Sequence, residues 1–303
     1  MVHSKHESIK DMIYAGIIGH AVGDALGVPV ESLSRLQLAS RPIRDMMGFG
    51  VYQLPAGTWS DDTSMEIALM DSLIRQKRFD LDDIMQNFYK WFHDADFTAT
   101  GQNFGIGPIC EEAIRNYMDG LSPLECGVKD AKSVGNGSLM RILPLAFVEC
   151  TDEEIRAVSA ITHGHWISEE ACVIYVHVAK RLLAGENILD ILPGLQYDKP
   201  FDRLHRIHQL NSSEIRSSGY VVDTLEAALS AISHIEENEE NDERTGLISK
   251  DYANDVLSAV NLGEDTDTVG TVAGGLSAII HGLGYQGEQW LEKLRNKELI
   301  LEC

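Results

Sequence analysis

Two stretches near opposite ends of the chain concentrate oxygen donors. The first runs Gly57-Thr58-Trp59-Ser60-Asp61-Asp62-Thr63, and the second Gly263-Glu264-Asp265-Thr266-Asp267-Thr268-Val269-Gly270. Each places carboxylates and hydroxyls immediately before an apolar segment. Ser, Thr and Asp are favoured N-caps, so capping accounts for one such residue per helix. It does not account for two carboxylates flanked by hydroxyls at both places. Adjacent anions repel, and a helix dipole offsets only part of that. A hard divalent cation removes the repulsion, because Mg²⁺ and Mn²⁺ prefer oxygen ligands. On residue chemistry alone, capping and a metal site both stay open.

A third acidic element lies at Gly19, Gly23, Asp24, Gly27 and Glu31. Small residues at this spacing mark close helix packing, but Asp24 and Glu31 sit in an apolar neighbourhood, where a charge needs a partner. Two glycine-rich stretches follow. Phe104-Gly105-Ile106-Gly107-Pro108 precedes a helix expected to begin near Glu111, and Ser133-Val134-Gly135-Asn136-Gly137-Ser138-Leu139-Met140-Arg141 lies further on. Glycines ahead of a helix let backbone N–H groups approach phosphate oxygens. Ordinary turns have the same composition. His163, in Thr162-His163-Gly164-His165, is either a residue closing an apolar helix or a ligand contact.

These residues must be carried by a scaffold, and the apolar periodicity is helical. Helices are expected over Ile9–Ala25, Thr63–Ile74, Ile84–Phe92 (after the acidic Asp80, Asp82 and Asp83), Ile155–Ile161 behind a Thr151/Glu154 capping box, and Glu169–Leu183, stopped by Gly185. Thr224–Ile235, Tyr252–Val260 and a Gly/Ala-rich Thr268–His281 complete the set. The best strand candidate is the short Ser218–Val222. The expected fold is all-α, one compact multi-helix domain over residues 1–303. The acidic run 236–250 reads as a solvated loop.

With 44% hydrophobic and 24% charged residues, the composition is that of a globular protein. The 25 Lys and Arg against 47 Asp and Glu leave a formal net charge of -22, which disfavours general nucleic-acid binding and anionic membranes. A bound anion must therefore be held by cations or backbone N–H groups. Five cysteines, an odd number with no Cys-x-x-Cys pair, argue against a zinc site or a disulfide framework and for a reducing, cytoplasmic setting. Residues 1–10 lack the apolar core of a signal peptide, and no apolar run reads as a membrane span.

In order, Gly23-Asp24-Ala25-Leu26-Gly27 with Glu31, Ser60-Asp61-Asp62-Thr63, Gly135-Asn136-Gly137-Ser138-Leu139-Met140-Arg141, Thr162-His163 and Asp265-Thr266-Asp267-Thr268 resemble the motifs of the ADP-ribosylglycohydrolase family. The resemblance implies an all-α fold with a cleft for two Mg²⁺ or Mn²⁺ ions. By position, Ser60, Asp61, Asp62, Asp265, Asp267 and Thr268 become metal ligands. Glu31 becomes a catalytic carboxylate beside the metals, with Asp61 as a second candidate. Ser133, Gly135, Asn136, Gly137 and Ser138 are implied to line the diphosphate and distal-ribose pocket, Gly105 and Gly107 to contact the nucleotide, and His163 to lie beside ADP-ribose. Asn136 is thereby expected to serve the ligand and leave the metals alone.

The implied reaction is hydrolysis of the N- or O-glycosidic bond between ADP-ribose and a protein or small-molecule acceptor, releasing ADP-ribose. Water activated with Glu31 or a metal-site aspartate as general base, and sugar-ring opening with Glu31 shuttling the proton, are both consistent with it. Two other functions share these residues: a two-metal phosphohydrolase acting on a nucleotide diphosphate, and a catalytically silent ADP-ribose-binding relative.

Overall fold

The computed structural model describes residues 8–233 and 251–302. The acidic run 236–250, the end of the helix expected over Thr224–Ile235, and Cys303 lie outside the described residues. The α-helices are α1 (Ile9–Gly27), α2 (Arg35–Ser40), α3 (Asp61–Gln76), α4 (Leu81–Asp94), α5 (Pro108–Met118), α6 (Pro123–Cys126) and α7 (Asp152–Ala160). They continue as α8 (Trp166–Leu183), α9 (Ile188–Ile191), α10 (Val221–Ser233), α11 (Tyr252–Val260), α12 (Thr266–His281), α13 (Gly284–Leu291) and α14 (Lys297–Leu301).

Local chemistry sets most boundaries. The Thr151 hydroxyl accepts from Glu154 N while the Glu154 carboxylate accepts from Thr151 N, the capping box that starts α7. Asp80 caps α4. Pro108 opens α5, where its missing N–H costs nothing. The expected strand Ser218–Val222 does not form. Among the described residues, pairing there is a single antiparallel bridge between Gly135 and Tyr220, and Val221 already belongs to α10. The β-branched pair Val221-Val222 suggested a strand, but both are buried on the helix. α7 ends before His163, which is instead held by a parallel bridge to Val128.

One expectation needs correction. The 22 residues Ile9–Val30 are long and apolar enough to cross a membrane, contrary to the sequence reading. The most apolar window of this stretch is 83% buried inside the protein, where it forms the central helix of the core.

Two apolar clusters share that centre. One contains Phe88, Trp91, Ile142 and Ile174; the other contains Ile18, Leu26, Trp59 and Trp290. α3 and α12 serve both: Leu69 and Leu276 belong to the first, and Ile67 and Ala278 to the second. The N-termini of α3 and α12 emerge between the clusters, and there the acidic motifs meet.

What brings them together is the contact between α1 and α12. Gly19, Gly23 and Gly27 recur every fourth residue and so share one face of α1. A Cβ on Gly23 would lie 2.1 Å from the Gly270 carbonyl oxygen, and one on Gly27 would lie 2.3 Å from Asp267 Cα. Gly274 is equally tight, with its Cβ position 2.3 Å from the Gly19 carbonyl oxygen. The two backbones are in direct contact along this face, leaving no room for a Cβ. The Thr266 hydroxyl donates to the Gly27 carbonyl at 2.8 Å, satisfying one carbonyl at the end of α1.

Gly23→Ala is therefore expected to force α1 and α12 apart, costing about 1–3 kcal/mol by overpacking. Gly107→Ala, whose Cβ would meet nothing within 4 Å, is the control and should cost far less. Urea unfolding of both variants checks this; equal midpoints would show that the helix pair tolerates the added methyl.

Candidate active site and metal centre

The site grows from the N-terminus of α3. Ser60 caps it, accepting from Asp62 N. Asp24 of α1 reaches across and accepts from Ser60 N at 3.0 Å, Thr63 N at 3.1 Å and the Thr63 hydroxyl at 2.6 Å. Asp24 is fully buried, and burial pushes its carboxyl up to about 6 against the pull of these donors. The partner its apolar setting demanded is thus the first turn of α3.

Asp61 and Asp62 follow on the buried first turn. Asp62 Oδ2 accepts from the Ser60 hydroxyl at 3.0 Å and the Thr268 hydroxyl at 3.5 Å, whereas Oδ1 is buried with no partner among the described residues. From α12, Asp267 Oδ1 accepts from Thr268 N at 3.0 Å. Burial foremost, and then neighbouring carboxylates, push Asp61, Asp62 and Asp267 well above the ordinary carboxylate range. An orphaned buried oxygen among mutually repelling acids is the donor set that a hard cation completes.

Glu31 arrives by a different route. Ser32 N donates to Glu264 O at 2.6 Å and Glu264 N to Leu33 O at 2.7 Å, stitching the segment after Glu31 to the residue before Asp265. Both Ser32 and Glu264 adopt left-handed backbone, with φ of 65° and 62°. The Tyr52 hydroxyl donates to Glu31 Oε2. Burial raises the Glu31 carboxyl, and Asp265 adds to the shift, while the Tyr52 bond opposes it.

Two acidic groupings result, each offering three oxygens within 4.8 Å of one another: Asp24, Asp62 and Asp267, and Glu31, Asp265 and Asp267. Asp267 belongs to both. In the first, Asp24 is already saturated by α3, so we read it as a cap that aligns Asp62, not as a ligand.

The carboxylates open onto a cavity of about 280 Å³. Glu31, Asp61, Asp62, Asp265, Asp267 and Thr268 form one wall. Gly105 and Gly107 continue it to the N-terminus of α5, whose Ile109 and Cys110 also face the space. Gly105 has φ +85°, and a Cβ there would lie 2.4 Å from Asp61 Oδ1. Gly135, Asn136, Gly137 and His163, with Met140 and Gly219, also line the cavity, and this stretch adjoins the acids at Asp265, whose Oδ2 accepts from the Asn136 amide. This loop is pinned by Asn136 N donating to Gly219 O and Val221 N donating to Val134 O, both at 3.1 Å.

Three of the expected site residues stand off the cavity wall. Ser60 Oγ is turned onto Asp62. Ser138 is fully buried behind the loop and accepts from the Ser159 hydroxyl at 2.9 Å. Ser133 sits in a turn, its N–H donating to Asp130 O at 2.8 Å. Asn136 lines the cavity and has a further role. Its amide nitrogen donates to Asp265 Oδ2 at 2.7 Å and Thr224 Oγ1 at 2.8 Å, so it secures an acidic residue. The sequence reading missed Tyr52, a lone aromatic in a loop with no spacing signal. It also missed Cys110 and Met140, which look like ordinary core residues.

The chain is similar to known proteins over nearly its whole length. A family model described as ADP-ribosylglycohydrolase matches residues 5–303. An ADP-ribosylarginine hydrolase Tri1 of Pseudomonas putida is 29% identical over 298 residues, covering 95% of this chain and 75% of that one. The ADP-ribosyl-dinitrogen reductase glycohydrolase of Rhodospirillum rubrum is 29% identical over 301 residues, covering 96% and 92%. A solved structure described as an ADP-ribosylglycohydrolase-related protein complex superposes with a TM-score of 0.76 at 29% identity, covering 96% of this chain and 95% of that one. The chain belongs to the ADP-ribosylglycohydrolase family, hydrolases that break the glycosidic bond between ADP-ribose and an acceptor.

Proposed function

We propose that this protein removes ADP-ribose from arginine side chains, using two Mg²⁺ or Mn²⁺ ions in the acidic cleft of a cytoplasmic enzyme. The observation that carries the metal reading is the pair of carboxylate groupings sharing Asp267, together with the orphaned, buried Asp62 Oδ1. The arginine acceptor is supported by charge. A guanidinium leaving from the distal ribose is cationic, and the carboxylate wall and the net charge of -22 favour its approach. A relative at 29% identity bears the name ADP-ribosylarginine hydrolase. The reducing compartment is supported by the cysteine pattern.

Asp61, Asp62, Asp265, Asp267 and Thr268 would hold the cations. Bound there, the ions supply charge neutralisation and Lewis acidity at the distal ribose. Glu31 takes the proton from the attacking water, and burial, by raising its carboxyl, makes it a stronger base. Tyr52 keeps one Glu31 oxygen fixed, leaving the other for the proton. The diphosphate lies toward the N-terminus of α5 and the Gly135–Gly137 loop, where backbone N–H groups offset the protein's own negative charge. Asn136 holds Asp265 in place.

A product assay on ADP-ribosylated arginine, serine and acetyl-ester substrates should release free ADP-ribose fastest from arginine and none in chelator. Release of AMP or inorganic phosphate instead would favour a phosphohydrolase. Glu31→Gln should lower turnover by about 10²-fold or more while ADP-ribose still binds; an unchanged rate would remove Glu31 from the chemistry.

Asn136→Ala is expected to weaken divalent-cation binding, because Asp265 loses its amide donor. Titration calorimetry with Mg²⁺ and Mn²⁺ checks it, and parental metal affinity would return Asn136 to a purely ligand-binding role.

Proton linkage supplies a further test. Asp24 titrates near 6 in the folded protein against 3.8 ordinarily, and the cleft aspartates are also raised. Groups raised in the folded state stabilise it when protonated, and that stability is lost as pH climbs through the folded pKa. Metal-free protein should therefore melt higher at ~pH 5 than at ~pH 8, and the stabilisation by Mg²⁺ should be larger at ~pH 8, where protons no longer compete. A metal-induced shift independent of pH would place the cation elsewhere.

A further inference from the structure

Behind the glycine loop lies a buried guanidinium that the acidic site does not use. Arg141 has no exposed surface. Its Nη1 donates to the Gly137 carbonyl, its Nη2 donates to the Thr162 hydroxyl at 2.8 Å, and its guanidinium carbon stands 4.8 Å over the Phe88 ring. Thr162 Oγ1 in turn lies 2.9 Å from Nδ1 of His163. The far edge of that imidazole lies against the cavity glycines: a Cβ on Gly137 would be 2.8 Å from Cε1, and one on Gly135 would be 3.3 Å from Nε2. Among the described residues Nε2 has no hydrogen-bond partner, and His163 lines the cavity.

Proton counting along this chain has one well-satisfied solution. Arginine only donates, so Thr162 Oγ1 must accept from Arg141. The hydroxyl then has one hydrogen to place, and His163 Nδ1 is the acceptor within reach. An Nδ1 that accepts leaves the ring hydrogen on Nε2. In the reverse arrangement, with Nδ1 donating to Thr162, the buried hydroxyl hydrogen would be left with the Cys110 thiol, a weak acceptor. Burial first, and then the Arg141 charge, push His163 down to about 3, so the ring stays neutral.

We propose that Arg141 and Thr162 are positioning residues that lock His163 as the Nε2–H tautomer, making it a fixed neutral donor to an oxygen of ADP-ribose in the cavity. Only the identity of the ligand rests on the function proposed above; the tautomer is a property of the free protein. Because Arg141 also holds the Gly137 carbonyl, one guanidinium sets both the donor and the loop facing it. A neutral donor suits this cleft. A cationic imidazolium would be drawn toward the carboxylates and would compete with the cations for them.

Long-range ¹H–¹⁵N spectra of Mg²⁺-loaded protein labelled at histidine read the tautomer directly, with the His163 signals assigned by their loss in His163→Gln. The parent and Thr162→Ser should show Nε2–H. Thr162→Val, which keeps shape and removes the hydroxyl, should lose that preference. Calorimetry with ADP-ribose should then show on the order of ten-fold weaker binding for Thr162→Val, the worth of about one hydrogen bond. Thr162→Ser should restore it, and Mg²⁺ affinity should be unchanged in both. An Nδ1–H signal in the parent, or an unaltered tautomer in Thr162→Val, overturns the proposal. So does an altered tautomer with parental ADP-ribose affinity. If the parent binds no ADP-ribose while His163 is Nε2–H, the proposed ligand fails and the tautomer lock stands.

Discussion

The backbone contact between α1 and α12 governs the molecule. Every functional carboxylate lies on one of these helices, just beyond their ends, or on α3, which α1 caps through Asp24. Glycines on both faces let the two chains approach until a single methyl would collide with a carbonyl. That approach brings the residues after α1 alongside the residues before α12, where the Ser32–Glu264 and Glu264–Leu33 hydrogen bonds close the gap. Larger residues along this seam would keep a helix pair and lose the site, because Glu31 and Asp267 would no longer offer oxygens to one ion.

Electrostatic strain is concentrated where this geometry demands it. Four aspartates and a glutamate face one small cavity in a protein that is already strongly anionic. The helix N-termini of α3 and α12 supply part of the compensation, and Asp24 is stabilised by three α3 donors. The remainder is uncompensated in the protein itself, as the orphaned Asp62 oxygen and the raised aspartates show. The rest of the lining is built differently: glycines and a neutral histidine, backed by one buried arginine held by carbonyl, hydroxyl and ring contacts. The cleft thus combines acidic groups with neutral donors in one lining.

Much of this was legible in the residues. Helical periodicity predicted α11 at its observed limits and α1, α3, α4, α8 and α12 within a few residues, since apolar spacing and caps act locally. The acidic motifs were legible because carboxylates at helix starts exceed what capping needs. Other features depended on partners far away in sequence. Val221-Val222 looked like a strand, and only packing against the core decides for a helix. Asn136 looked like a ligand contact, and its hydrogen bond to Asp265, 129 positions away, had no local signal. Arg141 lay in a recognised motif, but its link to Thr162 and His163 exists only once two loops meet.

The seam between α1 and α12 also orders events in time. Thr266 and Gly27, joined by a hydrogen bond, are 239 positions apart. During synthesis the ribosome delivers Asp24, Glu31, Asp61 and Asp62 long before their partners on α12. A growing chain can bury much of its apolar core while the acids stay separated and hydrated. Their mutual repulsion is met only when α12 docks. Contacts this distant form late in folding, since closing so large a loop must precede any gain from it. A chain lacking α12 lacks Asp267 and Thr268, and with them part of the cleft.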